Sequence, residues 1–154
     1  MTKNPFRVVA LPTSLAETAR RNAAAGARDH RTTTVESAQT APCRHCLTWA
    51  NPGERVILFP FQSISSARPY GESGPVFIHA DGCEQYSAPN EFPAAFRSGR
   101  ALRAYNEDDE IVAAQLAGDA PEELASEMFE IPEVQFLHVR SACHGCYTFK
   151  LERA

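Results

Sequence analysis

The apolar positions of this chain fall mostly into short runs, and two of these runs predict the centre of the core. Residues 54–61 form a nearly unbroken apolar run with β-branched and aromatic members. Such a run predicts a buried strand, ending near Pro60 because proline interrupts a ladder. Residues 75–80 alternate, so that Phe77 and His79 share one face of a second strand. We expect these two strands to be neighbours in the core.

Weaker patterns predict the peripheral elements. Ser14 and Glu17 have the spacing of a capping box, and Gly26 suits a helix C-terminus, which predicts a helix over residues 15–25. Pro121 fits the first turn of another helix, which ends before Pro132. Further runs predict strands over residues 6–11 and 101–105, and a short helix over residues 111–117.

The C-terminal region predicts a β-hairpin. Residues 134–141 and 146–151 both have strand character, and His144-Gly145 suits a two-residue turn. In that register Cys143 lies directly opposite Cys146. We therefore predict a single α+β domain over residues 1–154, with a mainly antiparallel sheet of about five or six strands, this C-terminal β-hairpin and two or three peripheral helices.

Composition and charge narrow the class of protein. The chain has 154 residues, of which 44% are hydrophobic, enough for one ordinary core. A net charge of -4 argues against a protein that covers nucleic-acid phosphates, so no nucleic-acid partner is expected. No stretch approaches the roughly 18 apolar residues of a membrane span, and the N-terminal apolar run is too short for a secretory signal. These features predict a cytoplasmic protein without a membrane partner. Its oligomeric state and the partners of its basic N-terminal region and of the acidic segment 107–133 are not predicted.

The cysteines supply the candidate chemistry. A reducing compartment keeps thiols free, so the five cysteines point to metal or redox chemistry rather than to disulfides. Two C-x-x-C pairs, Cys43 with Cys46 and Cys143 with Cys146, are enough for one tetrahedral zinc site. Cys83, just after a predicted strand, and His79 are substitute ligands. The pairs lie far apart in the chain, so thiols without a common site remain an equal alternative.

Two further alternatives use the same residues in catalysis. A thiol-dependent oxidoreductase would use Cys43 and Cys46, whose thiolates Arg44 and His45 would favour. An enzyme would instead use His79 and Cys83 as base and nucleophile, with Tyr70 and Glu72 nearby. A hydrogen-bonded core histidine is the more common role for a residue placed like His79. Whether the protein is an enzyme stays open at this point.

Three sequence segments resemble a known bacterial family. They are Cys43-Arg-His-Cys46-Leu47, the stretch from Pro69 to Cys83, and Gly145-Cys146-Tyr147. Together they are similar to the family catalogued as domain of unknown function 1203, over about residues 43–150. The resemblance implies counterparts for Cys43, Cys46, Cys83 and Cys146 but no activity. We expect a small cytoplasmic binding or regulatory protein whose cysteine cluster holds a structural metal, zinc.

Overall fold

The computed structural model of the protein describes residues 3–154. Its regular elements are two α-helices, α1 (Thr13–Ala24) and α2 (Pro121–Phe129), a 3₁₀ turn (Ala94–Phe96) and ten strands. The strands form two five-stranded sheets. The predicted α+β class, the mainly antiparallel pairing and the C-terminal hairpin are confirmed, and the strands are divided between two sheets instead of forming one.

The first sheet is antiparallel throughout and joins the two ends of the chain. Its strands lie in the order β1 (Phe6–Val9), β10 (Tyr147–Arg153), β9 (Phe136–Ser141), β7 (Arg100–Tyr105) and β8 (Ile111–Leu116). Helix α2 packs on it through four apolar side chains, all of which are buried: Leu124, Ala125, Met128 and Phe129. This packing makes the larger of the hydrophobic cores.

The second sheet contains one parallel pair, which sets the position of the cysteines. Its strands lie in the order β2 (Arg31–Thr34), β5 (Arg55–Ile64), β6 (Glu72–His79), β3 (Pro42–Cys43) and β4 (Thr48–Trp49). Strand β3 runs parallel to β6, and the other pairs are antiparallel. Helix α1 covers this sheet, where Ala16 and Ala19 pack near Ile57 and Ile78 in a second core.

The helix predicted between residues 111 and 117 was wrong because tertiary pairing decides the structure there. Residues 111–117 were predicted as a helix, but Ile111–Leu116 form strand β8 beside β7. The side chain of Asn106 accepts hydrogen bonds from the backbone N–H groups of Asp108 and Glu110, at 2.9 and 3.0 Å, and Asp109 has φ 59°. This turn reverses the chain and directs the following residues back along β7, overriding an alanine-containing sequence that favours a helix.

The ends of two other elements also differ from prediction. Helix α1 has Pro12 as its N-cap with no side-chain cap hydrogen bond, so the predicted capping box of Ser14 and Glu17 does not form. Strand β5 continues through Pro60 to Ile64. Strand β2 pairs with residues 55–58 of β5, so Pro60 lies in a stretch beyond that pairing, where a missing N–H is tolerated.

The register of the C-terminal hairpin differs by one residue from the predicted one. Phe149 pairs with Val139 and Leu151 with Leu137, and a bulge separates this stretch from the Tyr147 pair. All four of these apolar residues are fully buried. A slip of one residue would set Phe149 opposite a charged side chain, so burial selects the observed register. The connecting turn is consequently longer than the predicted two residues, and Gly145 within it has φ 73°.

Within residues 3–154, no helix is both long enough and apolar enough to cross a membrane.

Candidate metal centre

Four side chains converge at one end of the second sheet. Cys43 ends strand β3, Cys46 follows in the turn to β4, His79 ends strand β6, and Cys83 comes four residues later. Because β3 and β6 run parallel, with Cys43 opposite Phe77, their C-terminal ends meet at the same place. The three sulfur atoms and one imidazole nitrogen all lie within 4.8 Å of one another. The topology therefore assembles a Cys₃His group from two separate segments.

The backbone of each segment is bent to present its sulfur atoms. The N–H of Leu47 donates to the carbonyl oxygen of Cys43 at 3.0 Å, and Leu47 has φ 57° while its side chain is fully buried. A positive φ is strained for a residue with a Cβ. Gly82 has φ 101°, which turns the chain after His79 and brings Cys83 back to the group. The first turn places the sulfur of Cys46 in the group, and the second places the sulfur of Cys83 there.

The distances within the group match the edges of a zinc-centred tetrahedron. Zn–S bonds of about 2.3 Å and Zn–N bonds of about 2.0–2.1 Å imply S···S edges of about 3.8 Å and S···N edges of about 3.5 Å. The sulfur atoms of Cys43 and Cys83 are 3.7 Å apart. The sulfur of Cys46 is 3.5 Å from Nδ1 of His79. These donors fit a tetrahedral metal ion such as zinc.

Each sulfur also has a hydrogen-bonding partner other than the four donor atoms of the group. The backbone N–H of His79 donates to the sulfur of Cys43 at 3.4 Å. The hydroxyl of Thr48 lies 3.1 Å from the sulfur of Cys46. The sulfur of Cys83 lies 3.1 Å from Nδ1 of His45 and accepts a longer contact, 3.8 Å, from Arg20. Donors of this kind stabilise thiolates and orient metal ligands.

His79 is held in the orientation that a ligand needs. Its Nδ1 faces the sulfur of Cys46, and its Nε2 lies 3.4 Å from Oε1 of Glu54. A carboxylate on the outer nitrogen of a histidine fixes the tautomer that leaves the inner nitrogen free for a metal. His45 is bound differently, because its Nε2 is 2.9 Å from the hydroxyl of Thr13 and both of its nitrogens are engaged.

The four groups strongly perturb one another's protonation. Hydrogen bonds from Cys46 and Cys83 lower the pKa of Cys43 far below that of a free thiol. Contacts with Cys43 and Cys46 raise the pKa of His79 to about 11 and that of Cys83 well above its usual value. Without a cation the cluster therefore holds protons on His79 and Cys83. A divalent ion would replace those protons, which makes its binding weaker at low pH.

The second predicted cysteine pair lies elsewhere in the structure. Cys143 and Cys146 belong to the turn of the β9–β10 hairpin, and neither is part of the Cys₃His group. Cys143 is exposed and Cys146 is half-buried. The group contains instead the two residues named as substitutes, His79 and Cys83. Their H-x₃-C spacing at the end of a predicted strand is also a short zinc-ligand spacing, and it is the sequence signal that points to these two residues.

The alternative enzyme site is assembled only in part, because His79 and Cys83 lie together in the Cys₃His group but Glu72 is far from both. Glu72 and His79 stand at opposite ends of strand β6, about 23 Å apart for seven residues of extended chain. Glu72 forms ion pairs with Arg140 and Arg103 and accepts a hydrogen bond from the hydroxyl of Ser63. It therefore joins the two sheets, and its carboxylate is not available to the cysteines.

Comparison with known proteins gives a family and no activity. A family model described as "Protein of unknown function (DUF1203)" matches residues 40–153, which include all four residues of the Cys₃His group. No curated protein matches the chain, and no solved structure does.

Proposed function

The chain belongs to this family of unknown function, and from that premise we propose that it is a small cytoplasmic binding or regulatory protein with one structural zinc site. The ligands in this proposal are Cys43, Cys46, His79 and Cys83. The observation that carries it is the agreement between two independent donor distances and the edges of a zinc tetrahedron, in a set of three thiols and one imidazole.

The nature of the donors supports zinc and a structural role. Thiolates and imidazole are the ligands that zinc prefers, whereas calcium and magnesium take oxygen. Four protein ligands complete a tetrahedron and leave no position for substrate, which is typical of structural sites. Cys43 and His79 are buried, so solvent has limited access to this side of the group.

The ligands would cross-link the β3–β4 hairpin and the end of β6, which are already neighbours in the second sheet. Cys43 and Cys46 hold the short β3–β4 hairpin, and His79 and Cys83 hold the end of β6. Helix α1 is tied to the same place, because Thr13 bonds to His45 and Nε of Arg20 donates to the carbonyl oxygen of His79 at 3.0 Å. A metal at this point would stabilise the core between α1 and the second sheet.

A zinc site with three thiolate ligands needs a compartment that keeps cysteines reduced. All five cysteines are free, including the sulfur atoms of Cys43 and Cys83, which lie side by side. Free thiols in this arrangement are typical of cytoplasmic proteins. We therefore place the protein in the cytoplasm as part of the proposal.

The thiol-dependent oxidoreductase that uses Cys43 and Cys46 has weaker support. The lowered pKa of Cys43 favours a thiolate. However, its side chain is fully buried, and the pair lies in a turn between two strands instead of at the N-terminus of a helix. A redox cysteine needs both access and a thiolate.

Metal analysis of ligand variants tests the proposal. The protein is purified without added zinc, and its metal content is measured for the wild type, Cys83→Ser and Cys143→Ser. We expect about one zinc per wild-type chain and per Cys143→Ser chain, and a loss of most of it in Cys83→Ser. Wild-type protein that contains no metal and whose stability does not change on adding zinc would overturn the proposal.

A further inference from the structure

A cavity between the two sheets lies beside the hairpin turn and is separate in composition from the cysteine group. Its volume is ≈ 250 Å³. One wall is apolar and comes from the second sheet and its β3–β4 hairpin: Pro42, Trp49, Leu58, Pro75 and Phe77. The opposite wall comes from the first sheet and the hairpin turn and includes Arg100, Cys146 and Thr148. Small-molecule sites commonly have this form, a mostly apolar hollow with a few polar groups.

Two buried arginines line this cavity. Arg44 has 3% of its surface exposed and Arg100 has 7%. The guanidinium of Arg44 donates to the carbonyl oxygens of Tyr147, at 2.8 Å, and Pro42, at 2.7 Å. That of Arg100 donates to the carbonyl oxygen of Ser98, at 3.1 Å, and to the hydroxyl of Thr148, at 3.2 Å. All four acceptors are neutral, and they fix both side chains in place.

Neither arginine has a carboxylate partner among residues 3–154. The described residues that line the cavity include no Asp or Glu. Glu72 lines an adjoining cavity but is already paired with Arg140 and Arg103. Burying a guanidinium without a directly paired carboxylate is costly, and here two such groups are buried beside one cavity. Both arginines therefore favour an anionic group within this cavity.

We propose that this cavity binds a small organic carboxylate. The carboxylate would lie against Arg44 and Arg100, since a guanidinium presents planar pairs of N–H donors that match the two oxygens of a carboxylate. The rest of the ligand would be apolar and would pack between Trp49 and Phe77. The apolar wall favours such a molecule over inorganic phosphate, which has no apolar part. The inference goes beyond the zinc site and does not depend on its occupancy, although Arg44 lies between two of the proposed ligands.

The thiol of Cys146 provides a test of this proposal, because it is half-buried and lines the cavity. Cys143, in the same turn, is exposed and is not part of the cavity lining. Iodoacetate and iodoacetamide both alkylate a thiolate with loss of iodide, and they differ in charge. The ratio of their rates at one cysteine cancels the accessibility and thiolate fraction of that cysteine. Peptide mass spectrometry of the full chain gives this ratio at Cys146 and Cys143 separately, whatever happens at the cysteines of the metal group.

We expect the ratio of the iodoacetate rate to the iodoacetamide rate to be about tenfold higher at Cys146 than at Cys143. A factor of this size corresponds to one hydrogen bond between an arginine and the carboxylate of iodoacetate. In Arg100→Gln the ratio at Cys146 should fall toward that at Cys143. Arg97→Gln is the matched control, since Arg97 pairs with Glu122 at the surface, and it should leave the ratio unchanged. Equal ratios at the two cysteines of the wild type, or a ratio that Arg100→Gln does not alter, would overturn the inference.

A competition experiment on the wild type decides the matter if Arg100→Gln does not fold. Benzoate should slow the reaction of Cys146 with iodoacetamide without slowing that of Cys143, and benzamide, which has the same ring without the charge, should not. Protection by neither compound would overturn the proposed site. Stronger protection by inorganic phosphate than by benzoate would overturn the assignment of the ligand as an organic carboxylate.

Discussion

At the scale of single residues, two histidines of this protein are driven to opposite charge states by their neighbours. The cysteine sulfurs around His79 raise its pKa to about 11, so in the metal-free protein its ring is an imidazolium. Burial, together with Arg140, lowers the pKa of His138 to about 2. The neutral ring of His138 accepts a hydrogen bond at Nδ1 from Arg140 at 3.1 Å. His79 therefore carries a proton that a metal ion would displace, whereas His138 stays neutral at physiological pH.

The low pKa of His138 predicts acid sensitivity. Below pH 6.5, its ordinary pKa, the unfolded chain binds a proton at this site that the folded chain does not bind until about pH 2. The free energy of unfolding should therefore fall with decreasing pH by up to about 1.4 kcal/mol per unit from this residue. Urea unfolding at several pH values measures it. His138→Gln, which keeps an acceptor for Arg140 but does not titrate, should have a shallower slope, and identical slopes would contradict the assignment.

The sequence showed that the candidate site is made of thiols, but it did not show which cysteines and which histidine form it. Cys43 and Cys46 are recognisable because they are three residues apart, and a tight turn brings such a pair together in almost any fold. Cys83 joins them across the sheet only because β3 and β6 are parallel neighbours. Nothing in the local pattern of residues 41–47 specifies that pairing, so Cys143 and Cys146 were an equally reasonable second half.

At the scale of elements, the short turns are what position the donors. The turn after β6 depends on Gly82, whose φ of 101° is accessible to glycine and strained for other residues. A Cβ at this position would meet no atom within 4 Å, so the effect of adding one is conformational and not steric. Strain at this point would move Cys83 relative to His79, which lies three residues before the glycine.

We predict that Gly82→Ala destabilises the protein by about 1 kcal/mol or more and weakens zinc binding. The matched control is Gly118→Ala, because Gly118 also has open space around it but does not have a positive φ. That variant should change stability by less than about 0.5 kcal/mol and leave zinc affinity unchanged. Chemical unfolding and a competitive zinc titration measure the two effects. An equal response of the two variants would contradict the role given to the turn.

Elements with strong apolar patterns were predictable, and those set by pairing were not. The buried face of α2 follows from its sequence because Leu124 and Met128 recur at helical spacing. Strand β8 has four residues that are also good helix formers, and only its hydrogen bonds to β7 make it a strand. The hairpin register likewise depends on which side chains the rest of the core buries, which the hairpin sequence alone does not state.

At the scale of the whole molecule, polar contacts of Glu72 and Arg44 connect the two sheets, and Glu72 is ion-paired with Arg103 of β7 as well as with β9. Arg140 of β9 is ion-paired with Glu72 of β6, and Arg44 of the β3–β4 turn donates to the backbone of β10 at Tyr147. The first and last strands pair with each other in the first sheet. That all 154 residues form one domain stays a prediction, which a single cooperative unfolding transition would support.

The metal site is the central claim for the whole molecule, because it would join the β3–β4 hairpin and the end of β6 at one point, beside α1. X-ray absorption spectroscopy of the zinc-loaded protein tests it most directly, since it counts the donor atoms around the ion. The account predicts three sulfur atoms at about 2.3 Å and one nitrogen at about 2.0–2.1 Å. A first shell of four sulfur atoms, or one made mainly of oxygen and nitrogen, would contradict it.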